Sequence, residues 1–521
     1  MQPCDPGVIA SVAKSVPCPA ENRKWILVAT ILGSSLAFID GTVVNVALPS
    51  LQTNLHATVV DVQWVVESYA LLLASLLLVG GALGDIYGRK RIFLIGIVLF
   101  AAASAAAGLA SNIHQLILAR SVQGIGAALL VPESLAIISA SFEERERGRA
   151  IGTWSGFTAI TAAAGPVLGG WLIEHASWRS AFFINLPIAA AVIALTMWRV
   201  PESRNLQASR TPDLLGAILA TVGFGGVVFA LIESSKRTWS DPFVAVALFT
   251  GLIALVAFAI TETRTVTPLL PLGLFRIRNF AGANLLTLFL YSALSAMFFF
   301  FPMNLIQVQH YSATAAGAAL VPFIMLMFLM SRWSGGLLDH YGARLPLVIG
   351  PTIAAAGFAL FALPSMSSNY WTSFFPGILV LGLGMAISVA PLTTTVMNSV
   401  GADRAGVALG INNAVSRIAG VLSIAVLGIV MLHTFDRHLG QDLAEFNLSA
   451  ENRQEIAAQR IKLAAIEIPA HIDGETQINV RHSIDDSFVA GFRMVMWCTS
   501  GLALMSAATA FLWIERKQRS K

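Results

Sequence analysis

Three ionisable residues lie within long apolar stretches of the sequence. Asp40, Glu67 and Arg120 are each flanked on both sides by apolar residues. Ionisable side chains in such stretches usually face a cavity and pair with one another, so they mark proton and ion pathways. An arginine beside two carboxylates keeps at least one of them ionised, while burial favours the protonated form of the other. The three residues therefore indicate a proton carrier, with either Asp40 or Glu67 as the group that binds the proton.

The sequence contains no pattern that is typical of catalysis, metal binding or cofactor binding. Cys4, Cys18 and Cys498 share no metal-type spacing with histidines, and the nine histidines are scattered along the chain. Glycine runs at 223–226 and 382–384 lie inside apolar stretches, with no strand before them and no Walker-type lysine after them. We therefore expect no catalytic residues, no metal, no cofactor and no enzymatic activity.

The composition is that of a membrane protein. Of the 521 residues 56% are hydrophobic and only 12% are charged, whereas soluble proteins are near 25% charged. The mean hydropathy is +0.72, so the apolar residues exceed what a water-soluble core can hold. A formal net charge of +4 is too small to indicate a nucleic-acid partner. The composition thus excludes a soluble enzyme and implies a lipid bilayer as the surroundings.

Fourteen stretches have the length and apolar character of transmembrane helices, which need about 20 residues. The first is too long for a cleaved secretory signal, so we expect it to remain in the protein. The sequence predicts an all-α membrane protein. The predicted spans lie near 25–47, 62–83, 92–110, 113–139, 150–173, 181–200, 213–233, 241–261, 280–306, 315–338, 345–363, 372–399, 405–433 and 488–514.

Lysine and arginine predict the orientation, because short cytoplasmic loops retain positive charge. With the N-terminus inside, 21 of the 33 positive residues fall in inner segments and three fall in short outer loops. An even number of spans returns the C-terminus to the same side. We therefore expect a multi-pass protein of the cytoplasmic (inner) membrane with both termini in the cytoplasm.

The predicted spans also place the ionisable residues in depth. At about 1.5 Å per residue, Asp40 and Glu67 lie about 8 Å, and Arg120 about 10 Å, below the outer surface of the hydrocarbon core. The three charges are thus expected at one level. Glu133 follows Arg120 by 13 residues, which is a rotation of about 220° beyond full turns. We expect Glu133 to point away from Arg120 and to serve as a gate or a helix contact near the inner end.

A loop after the second span is repeated 254 residues later. This spacing indicates two homologous halves, as in many secondary transporters. The glycines allow helices to approach closely, and the aspartate can accept hydrogen bonds from a helix N-terminus in the other half. We therefore assign conformational gating to these loops, with Arg89 and Arg344 as their cations. The matching pairs are Gly81 with Gly335, Leu83 with Leu337, Asp85 with Asp339, Tyr87 with Tyr341, and Gly88 with Gly342.

The fifth predicted span is rich in small residues. Such a helix is thin and kinkable, so a second helix can press against it. A role as a pivot or seal follows. The residues that define this pattern are Gly156, Gly165, Pro166, Gly169 and Gly170.

These motifs resemble those of the major facilitator superfamily, and in particular its fourteen-span drug:proton antiporter branch. Residues 81–91 fit the superfamily's loop signature G-x-L-x-D-x-x-G-R-K/R-x, and 116–128 are similar to the fourth-helix motif. Residues 40–49 are similar to a first-helix motif of the branch, and 156–170 match the antiporter motif. The resemblance implies two six-helix bundles with two additional helices between them. It also implies that Arg120 takes part in proton transfer and that the protein exports its substrate.

The resemblance also suggests a division of the chain. The loop at 434–487 mixes apolar and charged residues at helical spacing, so it forms either a small amphipathic outer cap or an irregular connector. The expected regions are a cytoplasmic tail (1–24), a six-helix bundle (25–200), two additional helices with linkers (201–262), a second bundle that includes this loop (263–514) and a second tail (515–521).

We conclude from the sequence that the chain is a proton-coupled secondary exporter of lipophilic small molecules or drugs. An exporter of a lipid or endogenous metabolite with the same fold is an open alternative, and a proton symporter is a less favoured one. Protons, the bilayer and a periplasmic adaptor are candidate partners of a functional monomer.

Arg332 and Arg417 also lie within predicted spans. Ion pairing within the protein explains their presence there as well as a role in transport does. The candidate cavity-lining residues are Asn45, Gln123, Trp154, Asn412 and Arg417.

Overall fold

The structure is a computed structural model that describes residues 20–204, 213–265, 268–366, 369–400, 405–446, 448–469 and 472–515, and no strand occurs among them. Apolar stretches fold into helices because a helix satisfies its own backbone hydrogen bonds in hydrocarbon. The helices are α1 (Ala20–Asn54), α2 (Val59–Tyr87), α3 (Arg89–Leu109), α4 (Ile113–Ser141), α5 (Glu144–His175), α6 (Ser180–Phe183), α7 (Asn185–Arg199), α8 (Leu214–Glu233), α9 (Pro242–Arg264), α10 (Arg278–Met303), α11 (Ala313–Ala318), α12 (Val321–Gly335), α13 (Leu337–Tyr341), α14 (Arg344–Phe361), α15 (Phe375–Asn398), α16 (Ala405–Glu445), α17 (Ala450–Ala458) and α18 (Gly474–Trp513). Short 3₁₀ turns occur at Leu272–Arg276 and Arg460–Ala465, and π-helical turns at Asn304–Val308 and Tyr370–Phe374.

The predicted membrane spans correspond closely to these helices. Within the described ranges, 13 helical segments are long and apolar enough to cross a membrane, and each overlaps a predicted span. The remaining predicted span, 150–173, lies in α5, whose 32 residues exceed the roughly 20 that a bilayer requires. The all-α membrane fold expected from the sequence is confirmed.

The segment between the last two predicted spans is more helical than a loop. α16 continues past residue 433 to Glu445, and α18 begins at Gly474, well before residue 488. Hydropathy placed the span ends where the apolar run stops, but a helix continues where its polar residues can face water or pair. The connecting segment is therefore much shorter than the 434–487 expected from the sequence.

The connecting segment has an apolar and a polar side. Ile456 of α17 and Leu463 of the following 3₁₀ turn are fully buried, while the charged residues of α17 are exposed. Arg481 of α18 holds the segment by donating hydrogen bonds to the carbonyl oxygens of Ala464 (2.9 Å) and Ile466 (2.7 Å). The described residues of this segment thus pack against α18 through Arg481, with Ile456 and Leu463 buried. The amphipathic outer cap stays a prediction.

The contacts of the chain group it into two compact units. One comprises Met1–Val44, Trp64–Gly225 and Thr250–Pro271, and the other comprises Asn45–Gln63, Gly226–Phe249 and Leu272–Lys521. α1, α2, α8 and α9 each contribute to both units. The residues predicted to carry the proton, Asp40, Glu67 and Arg120, all belong to the first unit.

The first unit has a core formed by several of its helices. Leu36 of α1, Phe93 and Phe100 of α3, Leu130 of α4 and Val192 of α7 are fully buried in one cluster. Lipid is as apolar as these side chains, so close van der Waals contact, rather than exclusion of water, holds such helices together. The positions of the helices that carry the candidate site therefore depend on how closely the shapes of their packed side chains match.

Glycines bring α3 against α4, and α14 against α15, in the same way. A Cβ atom on Gly96 would lie 2.9 Å from the carbonyl oxygen of Gly126, and one on Gly350 would lie 2.9 Å from that of Gly384. Gly350 follows Gly96 by 254 residues, which is the offset of the repeated loop. The internal repeat therefore extends from the loop into the packing of the helix that follows it.

We expect Gly126→Ala to lower the apparent melting temperature of the detergent-solubilised protein. The added Cβ would lie 2.6 Å from the backbone nitrogen of Phe100, so α3 and α4 must separate at a cost of about 1–3 kcal/mol. Gly152→Ala is the matched control, because nothing lies within 4 Å of its added Cβ and alanine favours a helix. Equal melting temperatures for the two variants would contradict the close approach.

Candidate functional site

A buried ion pair joins α1 to α4 in the first unit. An Nη1 hydrogen of Arg120 contacts Oδ2 of Asp40, and the two side chains are 1% and 0% exposed. A buried charge pair is tolerated where further hydrogen bonds satisfy both partners. The two residues that the motifs placed together are thus in direct contact.

Amide side chains complete the coordination of the Asp40 carboxylate. Oδ1 of Asp40 accepts hydrogen bonds from Nε2 of Gln123 (2.8 Å) and Nδ2 of Asn185 (3.1 Å). Gln123 also accepts a hydrogen bond from Nη1 of Arg120 (2.7 Å), and Asn185 donates one to Oγ of Ser104 (2.9 Å). Asp40 therefore accepts from three donors on α4 and α7, which is the environment of an ionised carboxylate.

The other side of the guanidinium rests on α2. Nε of Arg120 donates to the carbonyl oxygen of Val65 at 3.1 Å, and the guanidinium carbon lies 4.2 Å from the centre of the Tyr69 ring. The Tyr69 hydroxyl donates to the carbonyl oxygen of Ala37 (3.3 Å). A cation over an aromatic face is favourable when water is excluded. Arg120 thus links three helices around one point.

Glu67 is buried but does not join this cluster, so the expectation of three charges in one group was wrong. Both of its carboxyl oxygens lack a hydrogen-bond partner among the described residues, and the side chain is fully buried. Arg120 contacts α2 at Val65 and Tyr69, which lie on one face because they are four residues apart. Glu67 is two residues from each, a rotation of about 200°, so it points to the opposite side. The depth argument placed the level correctly but ignored the helical face.

Sequence reasoning missed Asn185, Ser104 and Tyr69, which complete the site. Each is a polar residue within or beside a predicted span, and a buried polar side chain needs a partner. The sequence does show these polar residues within the spans. Neutral polar residues are too frequent in the spans, however, for this signal alone to identify the ones at the site. Only the helix packing shows which of them reach Asp40 or Arg120.

The first copy of the repeated loop is built around a salt bridge. Oδ1 of Asp85 accepts hydrogen bonds from Nε (3.0 Å) and Nη2 (2.7 Å) of Arg89, whose Nη1 also donates to the carbonyl oxygen of Ala136 (3.3 Å). Gly88 has a φ of +112°, a conformation that L side chains rarely adopt. Gly342, at the same place in the second copy, has a φ of +71°. The two loop glycines therefore share one backbone requirement.

A helix N-terminus beside this loop binds a carboxylate that sequence reasoning missed. Glu202, after α7, accepts hydrogen bonds from the backbone nitrogens of Lys90 (3.0 Å) and Arg91 (3.2 Å). The first amides of a helix lack partners within the helix, and their dipole favours an anion. Glu202 thereby fastens the start of α3 to the end of α7.

The second copy of the loop makes different contacts. Arg344 donates an Nη2 hydrogen bond to the carbonyl oxygen of Phe511, and its guanidinium carbon lies 4.3 Å from the centre of the Phe511 ring. The side chains of Asp339 and Arg332 lie outside the described residues. Arg344 therefore ties the start of α14 to the end of α18.

Glu133 is a buried residue of α4 near the first loop. Its carboxyl group packs against Gly84 of α2, and neither oxygen has a hydrogen-bond partner within the described ranges. Gly81, one turn earlier, faces Pro132, and an added Cβ there would lie 3.6 Å from Cβ of Pro132, an ordinary van der Waals contact. Glu133 is absent from the Arg120 cluster, as expected from its position on α4, and it is a contact between α2 and α4.

The small residues of α5 pack against the helix that carries Asp40. A Cβ on Gly165 would lie 3.2 Å from the carbonyl oxygen of Ile39 and closer still to the hydroxyl of Thr42. A Cβ on Gly169 would lie 2.6 Å from Cγ1 of Val43. The two glycines are four residues apart and share one face, whereas nothing lies within 4 Å of a Cβ on Gly156. Buried companions in the same stretch are Pro166 and Gly170.

The other candidate lining residues are dispersed. Trp154 donates to the hydroxyl of Ser34 at 3.1 Å. Asn412 donates to Oδ1 of Asn284 (3.2 Å) and to Oγ1 of Thr287 (2.7 Å) in the second unit. The half-buried residues of this set are Asn45 and Arg417.

Comparison with known proteins agrees with this arrangement. The sequence profile of the Major Facilitator Superfamily matches residues 30–424. The chain belongs to the Major Facilitator Superfamily. "Multidrug resistance protein Stp" of Mycobacterium tuberculosis is 33% identical over 95% of this chain and 93% of its own length. "Tetracenomycin C resistance and export protein" of Streptomyces glaucescens is 30% identical over 96% and 94%.

A solved superfamily structure shows the same fold. The chain aligns with a bacterial homologue of the human lysosomal transporter Spinster, in an inward-facing and unoccupied conformation, with a TM-score of 0.64 and 16% identity over 96% of this chain and 100% of that one. The major-facilitator fold inferred from the motifs is therefore confirmed. The relatives named for resistance and export agree with the drug:proton antiporter branch that the same motifs indicated.

For this superfamily member, the described site consists of an ion pair and its hydrogen-bond partners. Among the residues that the structure describes, no three His, Cys, Asp or Glu side chains converge as metal ligands. The polar groups converge instead on a carboxylate and a guanidinium. Such a pair can change its contacts when the carboxylate gains a proton.

We expect Glu67→Met to raise the apparent melting temperature. A buried polar group without a partner costs about 1–3 kcal/mol, and methionine fills a similar volume without that penalty. Glu451→Met, at an exposed position of α17, is the control and should change the melting temperature little. A lower melting temperature for Glu67→Met would mean that the carboxyl has a partner that stabilises it.

Proposed function

We propose that the chain exports lipophilic small molecules, including drugs, in exchange for protons. The observation that carries this proposal is the buried Asp40–Arg120 pair, completed by Gln123 and Asn185. Relatives over nearly the whole chain are named for drug resistance and export, which supports the substrate class. The antiporter-type α5, packed against the helix of Asp40, supports the direction of transport.

Protonation of Asp40 is the step that couples the two fluxes. In the structure this carboxylate accepts three hydrogen bonds, one of them from a cation. A protonated carboxyl is neutral and turns one oxygen into a donor, so it no longer holds Arg120, Gln123 and Asn185 in this arrangement. Arg120 must then find other acceptors, and the helices that it joins rearrange. A ligand shifts such an equilibrium only by its different affinity for the two states.

Glu67 is the second candidate for a proton-binding group. An ionised carboxylate with no neighbouring cation or hydrogen-bond donor is very costly in a low-dielectric site. In this conformation the carboxyl group of Glu67 is therefore protonated. It releases that proton when a rearrangement brings water or a cation to it. Asp40 and Glu67 then hold protons at different stages of one cycle.

The repeated loops control the conformational change. We assign gating to the salt bridge of Asp85 with Arg89 and to the contacts of Arg344, because both fasten the starts of helices that follow a loop. Salt bridges at a partly exposed position are weak enough to break and re-form. The remaining gating residues are Gly81, Gly88 and Asp339.

The positive charges on the inner segments support a location in the cytoplasmic membrane with both termini in the cytoplasm. We take one chain as the transporting unit, because Asp40, Arg120 and their hydrogen-bond partners all belong to it. A periplasmic adaptor is a further partner that this topology permits.

Two bundles at 25–200 and 263–514, with the helices of 201–262 between them, remain our proposed organisation.

Asp40→Asn tests the coupling. In inside-out proteoliposomes with an acidic lumen, we expect the wild type to accumulate ethidium and Asp40→Asn to lose this accumulation, because an amide keeps the shape but cannot titrate. Exchange of ethidium without a proton gradient should survive in the variant. Asp436→Asn, at an exposed carboxylate, is the control and should accumulate ethidium normally.

Unchanged proton-driven accumulation in Asp40→Asn would exclude this residue as the proton carrier. A wild-type protein that moves ethidium in the same direction as protons would contradict exchange and indicate a symporter.

Gly165→Leu tests the role of α5. We expect ethidium binding to remain while accumulation against a gradient is lost, because the larger side chain pushes α5 from α1 beside Asp40. Overpacking costs about 1–3 kcal/mol, which shifts a balanced equilibrium by roughly tenfold or more. Gly156→Leu makes the same change in the same helix at a position where nothing lies within 4 Å of an added Cβ. Equal loss in both variants would exclude the contact with α1 as the cause.

A further inference from the structure

Two acidic residues meet at the ends of the two additional helices, away from the proposed transport site. Asp213 precedes α8, and its Oδ1 accepts a hydrogen bond from the backbone nitrogen of Gly216 at 2.8 Å. Glu262 lies in the last turn of α9, and its Oε2 accepts a hydrogen bond from the backbone nitrogen of Leu270 at 2.9 Å. Each carboxyl group therefore uses one oxygen to fix a local turn. Both residues belong to the first unit.

The second oxygen of each carboxyl group points to the same place. A Cβ atom on Gly216 would lie 2.7 Å from Oδ2 of Asp213 and 2.8 Å from Oε1 of Glu262. These two oxygens are buried and accept no hydrogen bond from the described residues, and Glu262 as a whole is 3% exposed. The two oxygens can approach the same point because Gly216 has no side chain there.

No cation of the described chain balances this pair. Neither residue forms an ion pair with a described lysine, arginine or histidine, and Arg264, two residues from Glu262, is exposed. Among the described residues, Asp213 is the titratable group that acts on Glu262. Two carboxylates that share a buried site do not both ionise. A metal ion fits poorly, because hard cations need six or more oxygen ligands, and two oxygens are free.

We propose that Asp213 and Glu262 form a proton-binding site that holds one proton between Oδ2 and Oε1. The proton turns two mutually repelling acceptors into a donor and an acceptor. It thereby joins the start of α8 to the last turn of α9. The additional helices are fastened by this proton, so their attachment depends on pH and not on the gradient-coupled site at Asp40.

The dependence on pH has a definite sign. In the unfolded chain the two carboxyl groups are separate and ionise at ordinary values near pH 4, whereas the folded pair retains a proton above that pH. The folded protein then binds more protons than the unfolded one, so its stability falls as the pH rises. The contribution is present at acidic pH and is lost once the pair loses its proton.

The test uses the full-length protein in nanodiscs, with melting temperatures recorded from pH 5 to pH 9. We expect the wild type to lose several degrees more over this range than Glu262→Gln, because glutamine donates a hydrogen bond to Asp213 at every pH. Asp213→Asn, which keeps a side-chain oxygen to cap α8, should likewise flatten the profile. Asp436→Asn is the control and should follow the wild type.

Infrared spectroscopy provides a second readout of the proton. We expect the carbonyl band of a protonated carboxylic acid at pH 7, and its intensity should fall in Glu262→Gln but not in Asp436→Asn. Parallel melting profiles for wild type and Glu262→Gln, or an unchanged band, would overturn the proposal. Stabilisation of the wild type at pH 9 by sodium or calcium that Glu262→Gln lacks would assign the site to a metal cation instead.

The same variants separate this site from the transport proposal. Glu262→Gln and Asp213→Asn should accumulate ethidium at pH 7 as the wild type does. Failure of proton-driven accumulation in the wild type would contradict the exporter, while flat melting profiles would contradict only the shared proton.

Discussion

The cost of an unpaired charge in hydrocarbon governs this structure. Asp40 and Arg120 can lie in an apolar bundle because they pair with each other and make further hydrogen bonds with their surroundings. That requirement constrains the positions of α1, α2, α4 and α7, since each of these helices carries a member of the pair or a group in contact with it. The same contacts are the basis of the proposed coupling, because a proton on Asp40 turns an acceptor oxygen into a donor and so alters the contacts of all four helices.

Glycine permits the close packing that the ion pair needs. Gly96 and Gly126 bring α3 against α4, which carries Arg120, and Gly165 and Gly169 bring α5 against α1, which carries Asp40, at positions where a Cβ would collide. In lipid, such close contact is also the main source of attraction between helices. The same residues therefore stabilise the bundle and keep water from the pair. This explains why the small-residue motifs of the sequence surround its few intramembrane charges.

The features that depend on the local composition of the chain were predicted well from the sequence. Spans follow from runs of about 20 apolar residues, and the Asp40–Arg120 contact follows from two charges at one depth. The face of a helix was decisive for Glu67, and there a depth argument alone fails because a two-residue shift reverses the direction of a side chain. Asn185 and Glu202 were missed because hydrogen bonds between distant segments leave no local pattern. The carboxyl pair of Asp213 and Glu262 was missed for the same reason, since 49 positions separate the two residues in the chain.

The buried charges of the described residues are distributed unequally between the units. Asp40, Glu67, Arg120, Glu133 and Glu262 belong to the first unit, and Asp485 is the buried charged residue of the second. In the second unit, Asn412 of α16 donates to Asn284 and Thr287 of α10, so a hydrogen-bond network of neutral side chains joins these two helices. A neutral network needs no counter-ion and can rearrange around an apolar molecule at little electrostatic cost. An exporter of lipophilic compounds needs both properties, and it can obtain them from two homologous halves when one half keeps the charges and the other dispenses with them.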